Sequence, residues 1–143
     1  MSQRSDCVFC AIVAGEGPAR EVLRTDRIVA FFPLDPVAPG HTLVVPHSHA
    51  PDIWSIDRDT GHALMDATLE IAEAVRRALP IDGLNVIQSN GEAATQSVPH
   101  LHIHVVPRQW GDAMDIGWPS KTNWGDGAID AAQDKLRAVL GQR

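Results

Sequence analysis

The run Ser97-Val98-Pro99-His100-Leu101-His102-Ile103-His104-Val105-Val106-Pro107 sets three histidines alternately with aliphatic residues. Successive side chains of an extended strand point to opposite faces, so His100, His102 and His104 share one face, about 6.5 Å apart. Leu101, Ile103 and Val105 share the other. The spacing predicts a strand with an apolar core face and a chemical face, inside a sheet. Three imidazoles in register exceed what packing requires, and two chemistries use them. Neutral imidazole is a ligand for zinc and copper. Alternatively, one imidazole attacks as a nucleophile while its neighbours fix its tautomer and pass on protons.

Outward from that run, short apolar stretches alternate with proline-rich breaks. Glu21 to Arg24 and Ile28 to Phe32 are β-prone runs flanking Thr25-Asp26-Arg27, a hairpin pattern. Pro33, Pro36 and Pro39 forbid a regular element before Gly40, and His41 to Val45 reads as a third strand stopped by Pro46. A helix is predicted over 58–78, capped by Asp57 and ended by Pro80, because Leu64, Thr68, Ile71, Ala72, Val75 and Leu79 recur at three- and four-residue intervals. Residues 83–88 read as a fourth strand, 101–106 as a fifth and 128–140 as a terminal helix. The polar turn 89–97 is placed to bring N–H groups beside the histidine face. Trp110, Trp118 and Trp124 in the tail fit either buried packing or a cover over a ligand or subunit contact. The pattern is α+β: one domain over 1–143, with a core at 7–108, a mainly antiparallel five-stranded sheet, one long helix and a C-terminal helix in the tail 109–143.

A net charge of −6 with no Lys/Arg cluster argues against a nucleic-acid partner. No apolar run reaches signal-peptide or membrane length, so a cytoplasmic protein without a membrane partner is expected. The only cysteines, Cys7 and Cys10, stand three positions apart, which in a reducing compartment points to metal binding or redox chemistry. They precede any strand signal, unlike a thioredoxin-like motif, so zinc is the better reading and no redox cofactor is expected. Two more ligands would come from His41, His47, His49, His62 or the three alternating histidines.

His100 to Val106 resembles the signature of the histidine triad (HIT) superfamily, His-φ-His-φ-His-φ-φ with φ apolar. Further segments resemble that family in its order: Cys7-Val8-Phe9-Cys10, Pro36 to His41, Val44 to His49, Gly91 to Ala94 with Gln96-Ser97, and Val106-Pro107-Arg108. The paired cysteines make it similar to the zinc-containing bacterial-type branch. The resemblance implies a HIT-like fold and a homodimer whose sheets join. It implies attack at the α-phosphorus of a nucleoside phosphoramidate or related nucleotide, releasing a nucleoside monophosphate. The implied partner is a purine nucleotide or conjugate, such as an AMP or GMP derivative. By position His102 would be the nucleophile, forming a transient nucleotidyl-imidazole, with His104 beside the phosphate and Ser97, accompanied by Gln96, at the phosphoryl oxygens and leaving group. Structural zinc would be held by Cys7, Cys10, His49 and His100, with His47 as the competitor for His49. Val8, Phe9, Ile12, Phe31 and Leu34 match base-pocket positions, and Ser89 and Asn90 stand near the phosphate region. Other members of the superfamily imply alternatives, a dinucleoside polyphosphate hydrolase or phosphorylase, or a nucleotide sensor with vestigial catalysis.

Elementary chemistry agrees with the nucleophile. Imidazole, with an ordinary pKa near 6.5, is substantially neutral at pH 7 and attacks without a strong base. A protonated His104 would supply the positive charge that no local lysine or arginine provides. A metalloenzyme with all three histidines on one open metal site is the competing arrangement, disfavoured because the cysteines offer zinc a better home. The chain departs from the family pattern at Pro33, where an acidic residue often holds the ribose, leaving Asp35 as the nearby substitute. Ser89 replaces a frequent amide side chain, and Thr95 a frequent glycine.

Overall fold

The computed structural model describes residues 4–119 and 121–142. Strands β1 (Arg20–Arg24), β2 (Ile28–Phe32), β3 (Thr42–Pro46), β4 (Gly83–Gln88) and β5 (Ile103–Arg108) form one antiparallel sheet in the order β1-β2-β3-β5-β4. Helices α1 (Val8–Val13), α2 (Arg58–Ala78) and α3 (Asp126–Leu140) complete the α+β architecture. Residues as far as Ala113 form one compact unit, and those from Met114 onward form a second that contains α3. Among the described residues no helix is long and apolar enough to cross a membrane.

The long helix follows its periodicity. Asp57 caps it by accepting the Thr60 N–H at 2.7 Å, and Leu64, Ala67, Thr68, Ile71 and Val75 are its buried positions. That stripe packs on Ile28, Ala30, Val44, Leu101, Ile103 and Val105. The alternate residues Val29, Phe31, Leu43 and Val45 face the other way and bury Phe9 and Val13 of α1. Because β2 and β3 are covered on both sides, they read as continuous apolar runs rather than alternating ones. One apolar face and one chemical face describes the histidine run alone.

Two local features differ from the sequence reading. The six residues of α1 are too few to show a helical period. The turn is held instead at its ends: the Cys7 sulfur accepts the Cys10 N–H at 3.4 Å, and the Arg24 guanidinium donates to the Val13 and Ile12 carbonyls at 3.0 and 3.3 Å. The fifth strand starts at Ile103, not Leu101, because β3 pairs only with residues 103–105 and the Leu101 N–H goes to the Ala50 carbonyl at 2.7 Å. His100 and His102 therefore lie on the extended approach to β5, and His104 alone of the three lies within it. In the tail, Trp110, Trp118 and Trp124 are 91%, 87% and 74% exposed, which goes against the buried-packing alternative of the two readings the tail allowed. Helix α3 carries no buried residue.

Candidate active site and metal centre

Each of the three histidines has one ring nitrogen tied to a partner that fixes its tautomer. His102 Nδ1 lies 2.8 Å from the His100 carbonyl oxygen, which only accepts, so Nδ1–H donates and Nε2 keeps its lone pair. His100 Nε2 donates to the Pro46 carbonyl at 2.9 Å, leaving Nδ1 as its lone-pair atom. The third case runs through a further histidine. The Val37 N–H donates to His41 Nδ1 at 3.1 Å, so the His41 proton sits on Nε2, 2.9 Å from His104 Nδ1. His104 accepts that hydrogen bond and is left with a free Nε2–H donor. The face thus presents a bare nitrogen on His102 beside an N–H donor on His104, their ring centroids 5.0 Å apart.

Burial lowers the pKa of His41, His100 and His102 and pushes that of His104 down to about 4, with further lowering from His102 and His41. The free protein therefore holds His104 neutral at pH 7, which corrects the expectation of a positive charge there. What it offers a phosphoryl oxygen is a hydrogen-bond donor.

His102 and His104 line a cavity of about 810 Å³ together with Ser97, Phe9, Phe31, Leu34 and Asp35. Val8 and Ile12 also border it, so the expected apolar pocket residues come together, although Leu34 stands at the rim, 88% exposed. Phe9 packs edge-on against both His100 and His102, with centroids at 5.9 and 5.2 Å. Gln96, Ser89 and Asn90 do not line this cavity. The Gln96 amide accepts from the Gly91 N–H at 2.8 Å and donates to the Pro51 and Val98 carbonyls at 2.6 and 3.0 Å. Asn90 is occupied by Gln88 and by the Ile53 N–H at 2.7 Å. These amides build the turn that presents Ser97.

On the other side of Phe9 lies a second cluster. Cys7, Cys10, His49 and His100 each bring one donor atom, all within 4.8 Å of one another. His100 Nδ1 is 3.5 Å from both sulfurs, and His49 Nδ1 is 3.4 Å from Cys10 Sγ. Donors held about 2.0–2.3 Å from a tetrahedral ion lie about 3.3–3.8 Å apart, so the set fits zinc, and all four positions are protein ligands as in structural sites. The Pro46 carbonyl that takes the His100 Nε2–H is the outer support such a ligand needs. His47 is not in the group, and its buried Nε2 has no partner among the described residues. The three alternating histidines do not converge on one metal, since only His100 belongs to the cluster.

His41 is the participant that sequence reasoning missed, having counted it only among possible zinc ligands. Its signal lies in the pairing of β3 with β5, which sets Leu43 opposite His104 and so puts His41 within diagonal reach of that ring.

Residues 14–111 match the family model described as HIT domain. The protein hit of Bacillus subtilis is 36% identical over 114 residues, 79% of this chain and 79% of that protein. An adenosine 5'-monophosphoramidase of Saccharomyces cerevisiae is 34% identical over 116 residues, 80% of this chain and 71% of that protein. A solved HIT family structure from Bacillus subtilis superposes with a TM-score of 0.87 at 29% identity, covering 94% of this chain and 96% of that one. A zinc-bound histidine triad family protein from Mycobacterium smegmatis superposes with a TM-score of 0.73 at 33% identity, covering 94% and 97%. With its histidine run, its two-cysteine, two-histidine cluster and a family match across most of its length, this chain belongs to the HIT family.

Proposed function

We propose that the chain is a nucleotide hydrolase that cleaves at the α-phosphorus of nucleoside phosphoramidates or related nucleotides through a covalent nucleotidyl-histidine. The observation that carries this reading is the tautomer of His102, whose Nε2 lone pair stands in a large apolar cavity beside the His104 N–H donor. Nε2 attacks phosphorus as the bond to the leaving group breaks. That group departs with the bonding electron pair and takes a proton from water by way of the Ser97 hydroxyl, which lines the same cavity. Water then attacks the phosphorus and gives up a proton as the N–P bond breaks, its electron pair returning to Nε2, which releases the nucleoside monophosphate and restores the neutral imidazole. Little covalent chemistry is asked of the rest of the site, whose work is positioning and donation to the phosphoryl oxygens. Phe9, Ile12 and Phe31 supply an apolar wall for the base.

Zinc, when bound to Cys7, Cys10, His49 and His100, would act as a structural cross-link. The protein's own part is to anchor α1 to the segment bearing His102, so that Phe9 stays packed against that ring. The phosphoramidase activity named for the yeast relative supports the substrate class. A homodimer is supported by β4 lying at the edge of the sheet, paired with β5 alone among the described residues and with Val86 49% exposed, and a reducing, cytoplasmic setting by two free cysteines poised as ligands.

The test is turnover of an adenosine or guanosine phosphoramidate by the wild type and by His102→Ala. The variant should fold normally and lose activity by about a thousandfold or more. Full residual activity would sink the mechanism. Faster turnover of a dinucleoside polyphosphate, with or without inorganic phosphate as acceptor, would move the assignment to that class, and nucleotide binding without any turnover would make the protein a sensor.

A further inference from the structure

The proposed reaction leaves two charged side chains of the cavity unused. Arg20 and Asp35 both line it. Arg20 opens β1 and pairs with Phe32, three residues before Asp35, so the backbone sets the two at one corner. From that corner to His104 the sheet runs β1-β2-β3-β5, three strand spacings or about 14 Å. That span is comparable to an extended nucleoside monophosphate, and the wall along it is apolar, with Phe9, Ile12 and Phe31. Although Arg20 and Asp35 carry opposite charges at the same corner, neither side chain has an ion-pair or hydrogen-bond partner among the described residues.

We propose that Arg20 and Asp35 read the edge of the nucleobase and select guanine, an inference that rests on the cavity being a nucleotide site. A guanidinium only donates and an ionised carboxylate only accepts. Guanine presents two acceptors, O6 and N7, along one edge and two donors, N1–H and the N2 amino group, along the next. Its acceptor edge suits the planar fork of Arg20, and its donor edge suits the two oxygens of Asp35. Adenine sets its N6 amino donor beside N7, where a guanidinium meets it donor to donor. The phosphate end of the cavity, built on His102 and His104, makes no distinction between bases. Selection therefore falls to the one corner that carries fixed charge.

Calorimetric titration of the full chain with GMP, IMP and AMP reads this recognition without any turnover. GMP should bind about tenfold or more tighter than AMP, with IMP, which lacks the N2 amino group, between them. Arg20→Ala should remove the part of the GMP preference over AMP that comes from O6 and N7, leaving only the smaller part set by Asp35, and Arg20→Lys, which keeps the charge without the fork, should recover only some of what Arg20→Ala loses. Asp35→Asn should erase the difference between GMP and IMP. Equal binding of GMP and AMP by the wild type overturns the proposal. So do variants that weaken all three nucleotides alike, the result expected of a general charge effect or of a ribose contact at Asp35. Selection of GMP without turnover of a guanosine phosphoramidate would uphold the base reading and defeat the reaction proposed above. Turnover without base preference would do the reverse.

Discussion

His41 Nε2 lies 2.9 Å from His104 Nδ1, and the Val37 N–H holds the far side of His41 at 3.1 Å. A backbone amide in the proline-rich loop thereby decides which nitrogen of a strand residue carries a proton. The relay is buried, with His41 only 5% exposed, so water does not compete for it. His41→Ala frees Nδ1 of His104 to take the proton and removes the fixed Nε2–H donor. We expect kcat to fall about tenfold to a hundredfold with little change in KM, less than for outright loss of a donor. His41→Gln, whose amide can still donate, should recover part of the rate. Steady-state kinetics on a nucleoside phosphoramidate checks both, and an unchanged kcat in His41→Ala would remove the relay from the mechanism.

The depressed pKa of His104 also ties stability to pH. In the unfolded chain the imidazole takes up a proton near its ordinary value of 6.5, whereas in the fold it does so only at about 4. Between those values the unfolded state binds more protons, so stability is full above about pH 6.5 and is lost as pH falls toward about 4. His104 alone should contribute on the order of 1–3 kcal/mol across that window. Urea midpoints at pH 7.5, 5.5 and 4.5 for the wild type and for His104→Asn isolate the effect, since carboxylates and metal ligands titrate in both. The wild type should lose more stability than the variant on acidification. Parallel losses would show that the ring titrates as freely folded as unfolded.

Metal content should follow the four clustered donors and ignore the neighbouring histidine. Purified wild type is expected to hold one zinc per chain, while Cys10→Ser and His49→Ala should lose it and His47→Ala should keep it. Chelation of the wild type should lower the melting temperature by at least about 5 °C, because the ion links α1 to the segment before β5. Metal analysis and thermal melts read these outcomes directly. Zinc retained by His49→Ala but lost by His47→Ala would exchange the two ligands.

What could be read from the sequence was whatever repeats along one element. The α2 stripe from Leu64 to Val75 and the alternation of His100, His102 and His104 are local periods, and both survive in the fold. The Cys7–Cys10 pair and His49 were recognisable through family spacing rather than through any period. What could not be read depends on pairing between distant segments. The His41 to His104 contact needs the register of β3 against β5, and the shared corner of Arg20 and Asp35 needs that of β1 against β2. Helix α1 was invisible because a capping sulfur and a guanidinium clamp, not an apolar stripe, hold it. Gln96 and Asn90 sit where a phosphate contact was expected, yet their amides are spent on the turn's own backbone and neighbours.

Two residues with positive φ near the site should respond to substitution with opposite signs. Thr95 follows the short turn Glu92–Ala94 at φ 67 and ψ 22, a left-handed conformation that its branched Cβ resists. Glycine meets no such resistance, but it also leaves the unfolded chain more freedom, which offsets part of the gain. Thr95→Gly should therefore stabilise the protein by about 0.5–1 kcal/mol. Gly40 sits at φ +90, where a Cβ would lie 2.5 Å from Leu79 Cδ1 and 3.2 Å from Pro107 Cγ. Leu79 can swing aside, but the Pro107 ring belongs to β5 and yields less readily. Gly40→Ala should cost about 2–3 kcal/mol, and because the next residue is His41, it should also lower kcat. Chemical denaturation of both variants, with turnover measured on the folded fraction, checks the pair. A stable Gly40→Ala protein with normal kcat would mean that the loop shifts without moving His41, and that the relay does not depend on this approach of the backbone to β5.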